Sequence, residues 1–346
     1  MMGRPEPIGG PLGALGEALY RTGLGLRNAL YVAGLRWSAR LPARVVGVGN
    51  LTAGGTGKTP VVAELAARFE GAGWRTAILS RGHGRDHPER IEVVPPGEEP
   101  PEGAHRLYGD EPCLLRGRLP ETPIVLARDR TKGGRAAIER FGADLLLLDD
   151  GFQHRRLARD RDVVVLRGEA PFGDGRLLPR GLLREPPSGI GRAHLVLINR
   201  TGGEAEGLDD LLDRVGAPEE RVRFEYEPDR LLDPSGEEVD LRHLRARPVV
   251  AVSGIGDPSS FEYLLAGTGA LVSGAIRFAD HHRFTPSDCS DIADEAARFR
   301  AVPVTTEKDR IRLAGRDVKA AGVYTLIVRI RWTGETDALD RLVSRP

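Results

Sequence analysis

Residues 44–60, RVVGVGNLTAGGTGKTP, read as a buried strand that runs into a glycine-rich turn and on into a helix. A polyphosphate must be met by several backbone N–H groups at once. A loop that does this has to shed side chains and lead into a helix N-terminus, whose dipole favours anions. Gly54, Gly55 and Gly57 supply the bare backbone, and Thr52 and Ala53 complete the cradle. Lys58 is placed to reach the β- and γ-phosphates as a point charge, Thr59 to ligate a magnesium ion on them, and Pro60 suits a first helical turn. The pattern departs from G-x-x-x-x-G-K-[ST] because Thr52 stands at the first glycine, and an ordinary glycine-rich strand-to-helix turn shares this local grammar. Lysine is scarce, at 58, 132, 308 and 319 only, in a chain whose Lys and Arg total 50. Lys58 is therefore not a default cation here, which fits a site that wants a compact ammonium.

Working outward, short continuous apolar runs at 76–80, 123–127, 144–150, 162–166 and 194–199 indicate strands covered on both faces, with a helix near 131–141. The reading is an α/β fold: a P-loop NTPase-type, doubly wound parallel sheet at 41–230. It is followed by a smaller α/β domain at 231–346 with strands near 249–253, 271–276, 303–305 and 323–329. The stretch 226–247 is polar and reads as the turn-rich join, and the cleft between the units is the expected substrate site.

The 346 residues favour two domains, and a formal net charge of +0 selects no nucleic-acid partner. Cys113 and Cys289 are too few for a disulfide framework or a cysteine-rich zinc site, which suits a reducing compartment. Residues 1–40 are different. Leu12, Leu15, Leu19, Leu26, Leu30, Ala33 and Trp37 fall on one helical stripe with Arg21, Arg27 and Arg36 off it, and glycines at 13, 16, 23, 25 and 34 threaten to break the helix in two. There is no bilayer-spanning apolar run and no signal-peptide shape. Such a segment either lies in the headgroup layer of an anionic membrane or packs on the protein's own core.

Strand C-termini bind ligands in open parallel sheets, so Asp149 and Asp150, ending the run at 144–150, are candidates to hold magnesium. Gln153 and His154 follow them and are placed to contact metal, water or substrate. Asp110, in YGDEP (108–112), is an available partner for a histidine of FADHHRF (278–284). Arg81 and Arg85 flank His83 in SRGHGR (80–85) and are suited to an anionic substrate group. PFGDGRLLPRGLLREP (171–186) carries Arg176, Arg180, Arg184 and Glu185 and reads as a cationic lid.

Taken together and in order, NLTAGGTGKTP, SRGHGR, YGDEP, LLLLDDGFQH, PFGDGRLLPRGLLREP, SGIGDPSSF, FADHHRF and VTTEKD resemble the tetraacyldisaccharide 4′-kinase family of lipid A synthesis. That family's phosphate loop also lacks the first glycine. The resemblance implies ATP- and Mg²⁺-dependent phosphorylation of the 4′-hydroxyl of a tetraacyl glucosamine disaccharide 1-phosphate. It also implies a monotopic enzyme on the cytoplasmic face of the bacterial inner membrane, with no obligate protein partner evident. By position it implies that Lys58, Thr56 and Thr59 hold phosphates and metal, with Arg184 beside the nucleotide. Asp149, Asp150, Gln153 and Glu185 would serve metal and nucleotide, Asp110 and His281 would activate the hydroxyl, and Asn50, Arg81, His83 and His154 would meet the substrate. Position 83 departs from the family pattern, being His where Tyr is expected.

A nucleotide switch or metallochaperone-type NTPase is the alternative of a different class. Asn199-Arg200-Thr201-Gly202 lacks the Lys and Asp of a guanine-selecting loop, and Lys308-Asp309 are misspaced for one. A soluble sugar kinase is the third reading, and the basic amphipathic N-terminus argues against it.

Overall fold

The computed structural model describes residues 7–54, 57–98, 101, 103–313 and 316–345. Gly55 and Thr56, read above as part of the cradle, lie outside the described residues. The strands are β1 (Arg44–Gly49), β2 (Thr76–Ser80), β3 (Glu92–Val94), β4 (Ile124–Leu126), β5 (Leu145–Asp149), β6 (Arg161–Arg167) and β7 (Leu195–Asn199). They continue with β8 (Arg221–Leu232), β9 (Glu238–Val239), β10 (Pro248–Ser253), β11 (Leu271–Arg277), β12 (Val302–Thr306) and β13 (Tyr324–Trp332). All join one sheet in the order β11-β10-β12-β13-β8-β7-β6-β1-β5-β2-β4-β3, with β9 against β8. Pairing is parallel except at β3–β4, β8–β9 and β8–β13. The fold is thus α/β, with a mostly parallel sheet.

β1 lies between β5 and β6, and the helix Lys58–Gly71 returns over the sheet. That helix buries Val61, Val62, Leu65, Ala66 and Phe69, an i, i+3, i+4 face that closes over Val46, Leu145 and Leu147. Burying such side chains stabilises by about 2 kcal/mol each. This fixes the loop before the helix at the C-terminal ends of β1 and β5.

The stretch 226–247, read as a turn-rich join, is strand as far as Leu232, and the division at residue 230 falls inside β8. The apolar alternation of β8 fades after Phe224 because charge pairs take over its open face: Glu227 accepts from Arg329 of β13 at 2.7 Å, and Arg331 lies 3.1 Å from Glu227. Pro228 sits where the β8–β13 register shifts, a bulge that tolerates a residue with no donor. The chain end also returns to the first unit. Ala338, Leu339 and Leu342 of the helix Asp337–Val343 join the core that holds Phe69 and Val46.

The N-terminal helix is unbroken from Gly10 to Val32. One face is tied down: Tyr20 Oη donates to the Arg184 carbonyl at 2.9 Å, Glu17 accepts from Leu177 N–H at 3.2 Å, and Leu24 is buried. The opposite leucine stripe is bare, with Leu12 77%, Leu15 59%, Leu19 66% and Leu26 63% exposed.

Arg116 is a structural cation. It is 2% exposed, and its guanidinium donates to the carbonyls of Leu119, Pro120, Val94 and Thr122 at 2.7, 2.5, 2.8 and 2.8 Å. Arg116→Met is expected to cost about 3 kcal/mol, because four buried carbonyls lose a charged donor. Thermal unfolding checks this, and an unchanged midpoint would show those carbonyls satisfied otherwise.

Candidate active site

The cradle is assembled by side chains as well as backbone. Gly57 caps the helix with φ 72°, and a Cβ there would meet the Tyr226 ring at 2.8 Å, so only glycine lets β8 approach so closely. Tyr226 Oη donates to the Gly57 carbonyl, which steadies the turn. Lys58 Nζ donates to Asn50 Oδ1 at 3.1 Å and lies 3.4 Å from Asp150 Oδ1. The loop is strapped to the 171–186 segment: Ala53 N–H donates to the Leu182 carbonyl at 2.6 Å, and Arg184 N–H to the Leu51 carbonyl at 2.7 Å. That segment is docked on the loop in this state.

Asp149 and Asp150 part ways, as neighbouring residues at a strand end do. Asp149 is buried and accepts from Ser80 Oγ at 3.2 Å. Burial, then the charges of Glu111 and Asp150, push its carboxyl up to about 7 against Lys58 and Arg130. Asp150 turns the other way with φ 55° and takes Arg184 Nη1 on both oxygens at 2.9 and 2.7 Å. Burial opposes its ionisation, but Lys58 and Arg184 outweigh it and hold the carboxyl well below the usual range. Gln153 Nε2 bridges the Asn50 carbonyl and Glu185 Oε1, both at 2.8 Å, while Arg192 holds the other Glu185 oxygen at 2.8 Å.

Among the described residues, no three His, Cys, Asp or Glu converge as a metal cage. Magnesium on a phosphate chain asks less, one or two carboxylates plus water and phosphate oxygens. The donors present fit that demand: Gln153 Oε1 is buried with no hydrogen-bond partner, beside an acidic pair at a strand end. Glu185 and Asp150 face arginine instead, which narrows the set expected from sequence.

The second cluster is built across the two halves. Asp110 opens the helix Asp110–Arg118, His281 follows β11, and His281 Nδ1 lies 3.0 Å from Asp110 Oδ2. Gly109 makes this possible, because a Cβ at its φ of 93° would meet the His83 carbonyl at 2.6 Å. Burial works against the Asp110 charge, but the His281 hydrogen bond, Arg312 and Lys308 prevail and lower its pKa. The charge of the next residue, Glu111, is among those that raise the Asp149 carboxyl. The His83 and His281 rings are 5.6 Å apart, edge to face, and Arg81 is exposed beside them.

Two expectations are corrected. Asn50 is fully buried and its amide is taken up by Lys58 and by the Thr52 carbonyl at 2.7 Å, so it shapes the loop and does not line a substrate surface. Arg85 is buried, donating to the carbonyls of Pro88 and Arg90 and lying 3.2 Å from Glu92, so it cannot grip a substrate. His282 pairs with Asp288 at 3.0 Å and stacks on Phe278, away from Asp110. His154 has a buried Nε2 with no hydrogen-bond partner, and burial with Arg130 and Arg159 depresses its pKa to about 4.

Sequence reasoning passed over Ser80, Glu111, Arg130, Lys308 and Arg312. Arg130 is buried, its guanidinium reaching the Asp149 carbonyl at 3.5 Å. The scarcity of lysine is a signal at Lys308 as much as at Lys58.

A family model described as tetraacyldisaccharide-1-P 4′-kinase matches residues 12–345. The tetraacyldisaccharide 4′-kinase of Anaeromyxobacter dehalogenans strain 2CP-C is 45% identical over 94% of this chain and 88% of the relative. That of Syntrophus aciditrophicus is 42% identical over 90% and 86%. A crystal structure of LpxK from Aquifex aeolicus in complex with ATP superposes with a TM-score of 0.73 at 32% identity, covering 95% of this chain and 97% of the other.

Proposed function

The chain belongs to the tetraacyldisaccharide-1-P 4′-kinase family, and from that premise we propose that its cleft moves the γ-phosphoryl group of ATP to the 4′-hydroxyl of a tetraacyl disaccharide 1-phosphate. It is a kinase of lipid A biosynthesis with an alcohol acceptor. The observation that carries the residue assignment is the Asp110–His281 contact at 3.0 Å, in a fold whose phosphate cradle holds Lys58 between Asn50 and Asp150.

In this reading the loop Thr52–Gly57 and the N-terminus of the helix Lys58–Gly71 bind the phosphates, with Lys58 and Arg184 balancing their charge. Thr59, Asp149 and Gln153, with Asp150 and Glu185 behind them, would hold a magnesium ion, which would supply charge neutralisation on the phosphates. Asp110 takes the hydroxyl proton as the oxygen–phosphorus bond forms and the bond to ADP breaks. A loose transition state asks little of that base. His83, His154 and Arg81 border the acceptor side.

The exposed leucine stripe fits a lipid-linked acceptor. No helix among the described residues is long and apolar enough to cross a membrane. We assign this helix to the headgroup layer of the inner membrane's cytoplasmic face, its leucine stripe towards the lipid and the exposed Arg36 and Arg40, just beyond its end, available to anionic headgroups. Replacing Leu12, Leu15 and Leu19 by Ser is expected to weaken co-sedimentation with anionic vesicles by about 100-fold, given the apolar area withdrawn. Undiminished binding would move the contact elsewhere.

Incubation with ATP and the disaccharide 1-phosphate lipid, read by mass, tests the reaction. Gain of one phosphoryl group on the lipid is expected. ATP hydrolysis that leaves the lipid unchanged would favour the switch-type NTPase.

A further inference from the structure

Lys308 lies on the helix Glu307–Arg312, in the half of the fold that also carries His281. Its Nζ donates to Asp280 Oδ1 at 3.2 Å and lies 3.3 Å from His281 Nε2. An ammonium has donors only, so Nε2 must accept. The other ring nitrogen faces a carboxylate, Asp110 Oδ2, which accepts, so Nδ1 carries the hydrogen. The tautomer with its hydrogen on Nδ1 satisfies both contacts.

We propose that Lys308 is the positioning residue of the acceptor site: by donating to His281 Nε2 it fixes the tautomer that aims Nδ1–H at Asp110, and it leaves Asp110 as the sole acceptor of the hydroxyl proton. The proposal rests on the reading of Asp110 and His281 given above. His281 could take a proton only at Nε2, and there Lys308 would have to be displaced. Asp110 Oδ2 is engaged by His281 and by Arg312 Nε at 3.3 Å, a charge contact and not an aligned hydrogen bond, while Oδ1 takes no hydrogen bond from the described residues. Oδ1 is thus the free acceptor. Asp280, whose side chain is 7% exposed, holds the ammonium in place. The backbone at His281 has φ 61°, so the ring is presented from a constrained turn.

The charged and titratable groups around Asp110 are His281, Lys308 and Arg312 from the second unit, and His105, Glu111 and Cys113 from its own side. His83 and Asp280 flank His281. Lys308 and Arg312 both favour the Asp110 carboxylate. Removing the ammonium therefore raises the Asp110 pKa, and the acid limb of kcat against pH moves upward.

The test uses the full-length enzyme with ATP and the lipid acceptor. Lys308→Met is expected to lower kcat by about 10-fold. Its acid limb should rise by about one pH unit. The KM for ATP should stay within about 2-fold of wild type, since uniform binding is untouched. Lys308→Arg, which keeps the charge, should keep the wild-type acid limb and recover most of the rate. In ¹⁵N spectra of wild-type protein, with His281 assigned by its loss in His281→Gln, Nε2 should show the shift of an acceptor nitrogen and Nδ1 that of a protonated one. If Lys308→Met has wild-type kcat and acid limb while Asp110→Asn and His281→Ala are crippled, the proposal is wrong and the dyad reading stands. If those two variants are fully active, the dyad reading itself falls. Should Lys308→Met not fold, the wild-type spectrum decides, and an Nε2–H tautomer there overturns the proposal.

Discussion

Lys58→Met is expected to lower kcat/KM by about 1,000-fold, the range seen when one pre-aimed donor to developing charge is deleted. The ammonium sits between Asn50 Oδ1 at 3.1 Å and Asp150 Oδ1 at 3.4 Å, with its side chain only 11% exposed. It is held before any phosphate arrives, so none of its binding energy goes into ordering a flexible side chain. Methionine keeps the length and removes the charge. Asp150 retains its two-oxygen contact with Arg184, so no buried carboxylate is stranded and the fold should survive. Lys58→Arg should rescue little, because a planar fork cannot replace a compact ammonium between two fixed oxygens. Steady-state rates with ATP and the lipid acceptor, beside thermal unfolding of each variant, measure this. Retention of a tenth of wild-type kcat/KM in Lys58→Met would remove the lysine from the phosphate-binding role.

The Lys58 cluster was half legible in the sequence. The strand, the bare turn and the scarce lysine are local signals, and so are the continuous apolar runs that became β2, β5, β6 and β7. β8 was not legible as far as Leu232, because Glu225, Glu227 and Asp229 answer Arg329 and Arg331 of a strand about 100 residues away, and such pairing erases apolar alternation. Asn50 shows the converse. Its place in the motif suggested a substrate contact, yet a side chain one residue beyond a buried strand points wherever the pleat sends it, here behind the loop. Glu111, Lys308 and Arg312 owe their positions to two helices that pack antiparallel, the start of Asp110–Arg118 against the end of Glu307–Arg312. Adjacent residues carry no trace of that. The paired ends of the helices Asp110–Arg118 and Glu307–Arg312 are held by Arg118, which donates to Glu307 Oε1 at 3.0 Å and to the Val328 carbonyl at 2.8 Å.

Asp110→Asn should be the most damaging isosteric change in the molecule, lowering kcat by about 1,000-fold with the KM for ATP nearly unchanged. An amide of the same shape cannot take the hydroxyl proton. It also removes one of the carboxylates that balance Arg312 and Lys308, which keep Asp309 at 3.0 Å and Asp280 at 3.2 Å. His281→Ala should cost less, about 30-fold, because the carboxylate remains and only its orientation is lost. The double variant should be no worse than Asp110→Asn alone, since both act on one proton transfer. Additive losses would place the two residues in separate steps. Stability tells the same residue's story by a second route. The Asp110 pKa is lowered in the folded state, so its charge contributes stability that is fully present above the unfolded value and is lost as pH falls through the folded one. Asp110→Asn removes that contribution, so the variant's deficit in unfolding midpoint should be largest near neutral pH and shrink on acidification. A deficit that instead grows towards low pH would mean that the carboxyl is held protonated in the fold, and it would then have no place as the acceptor of the hydroxyl proton.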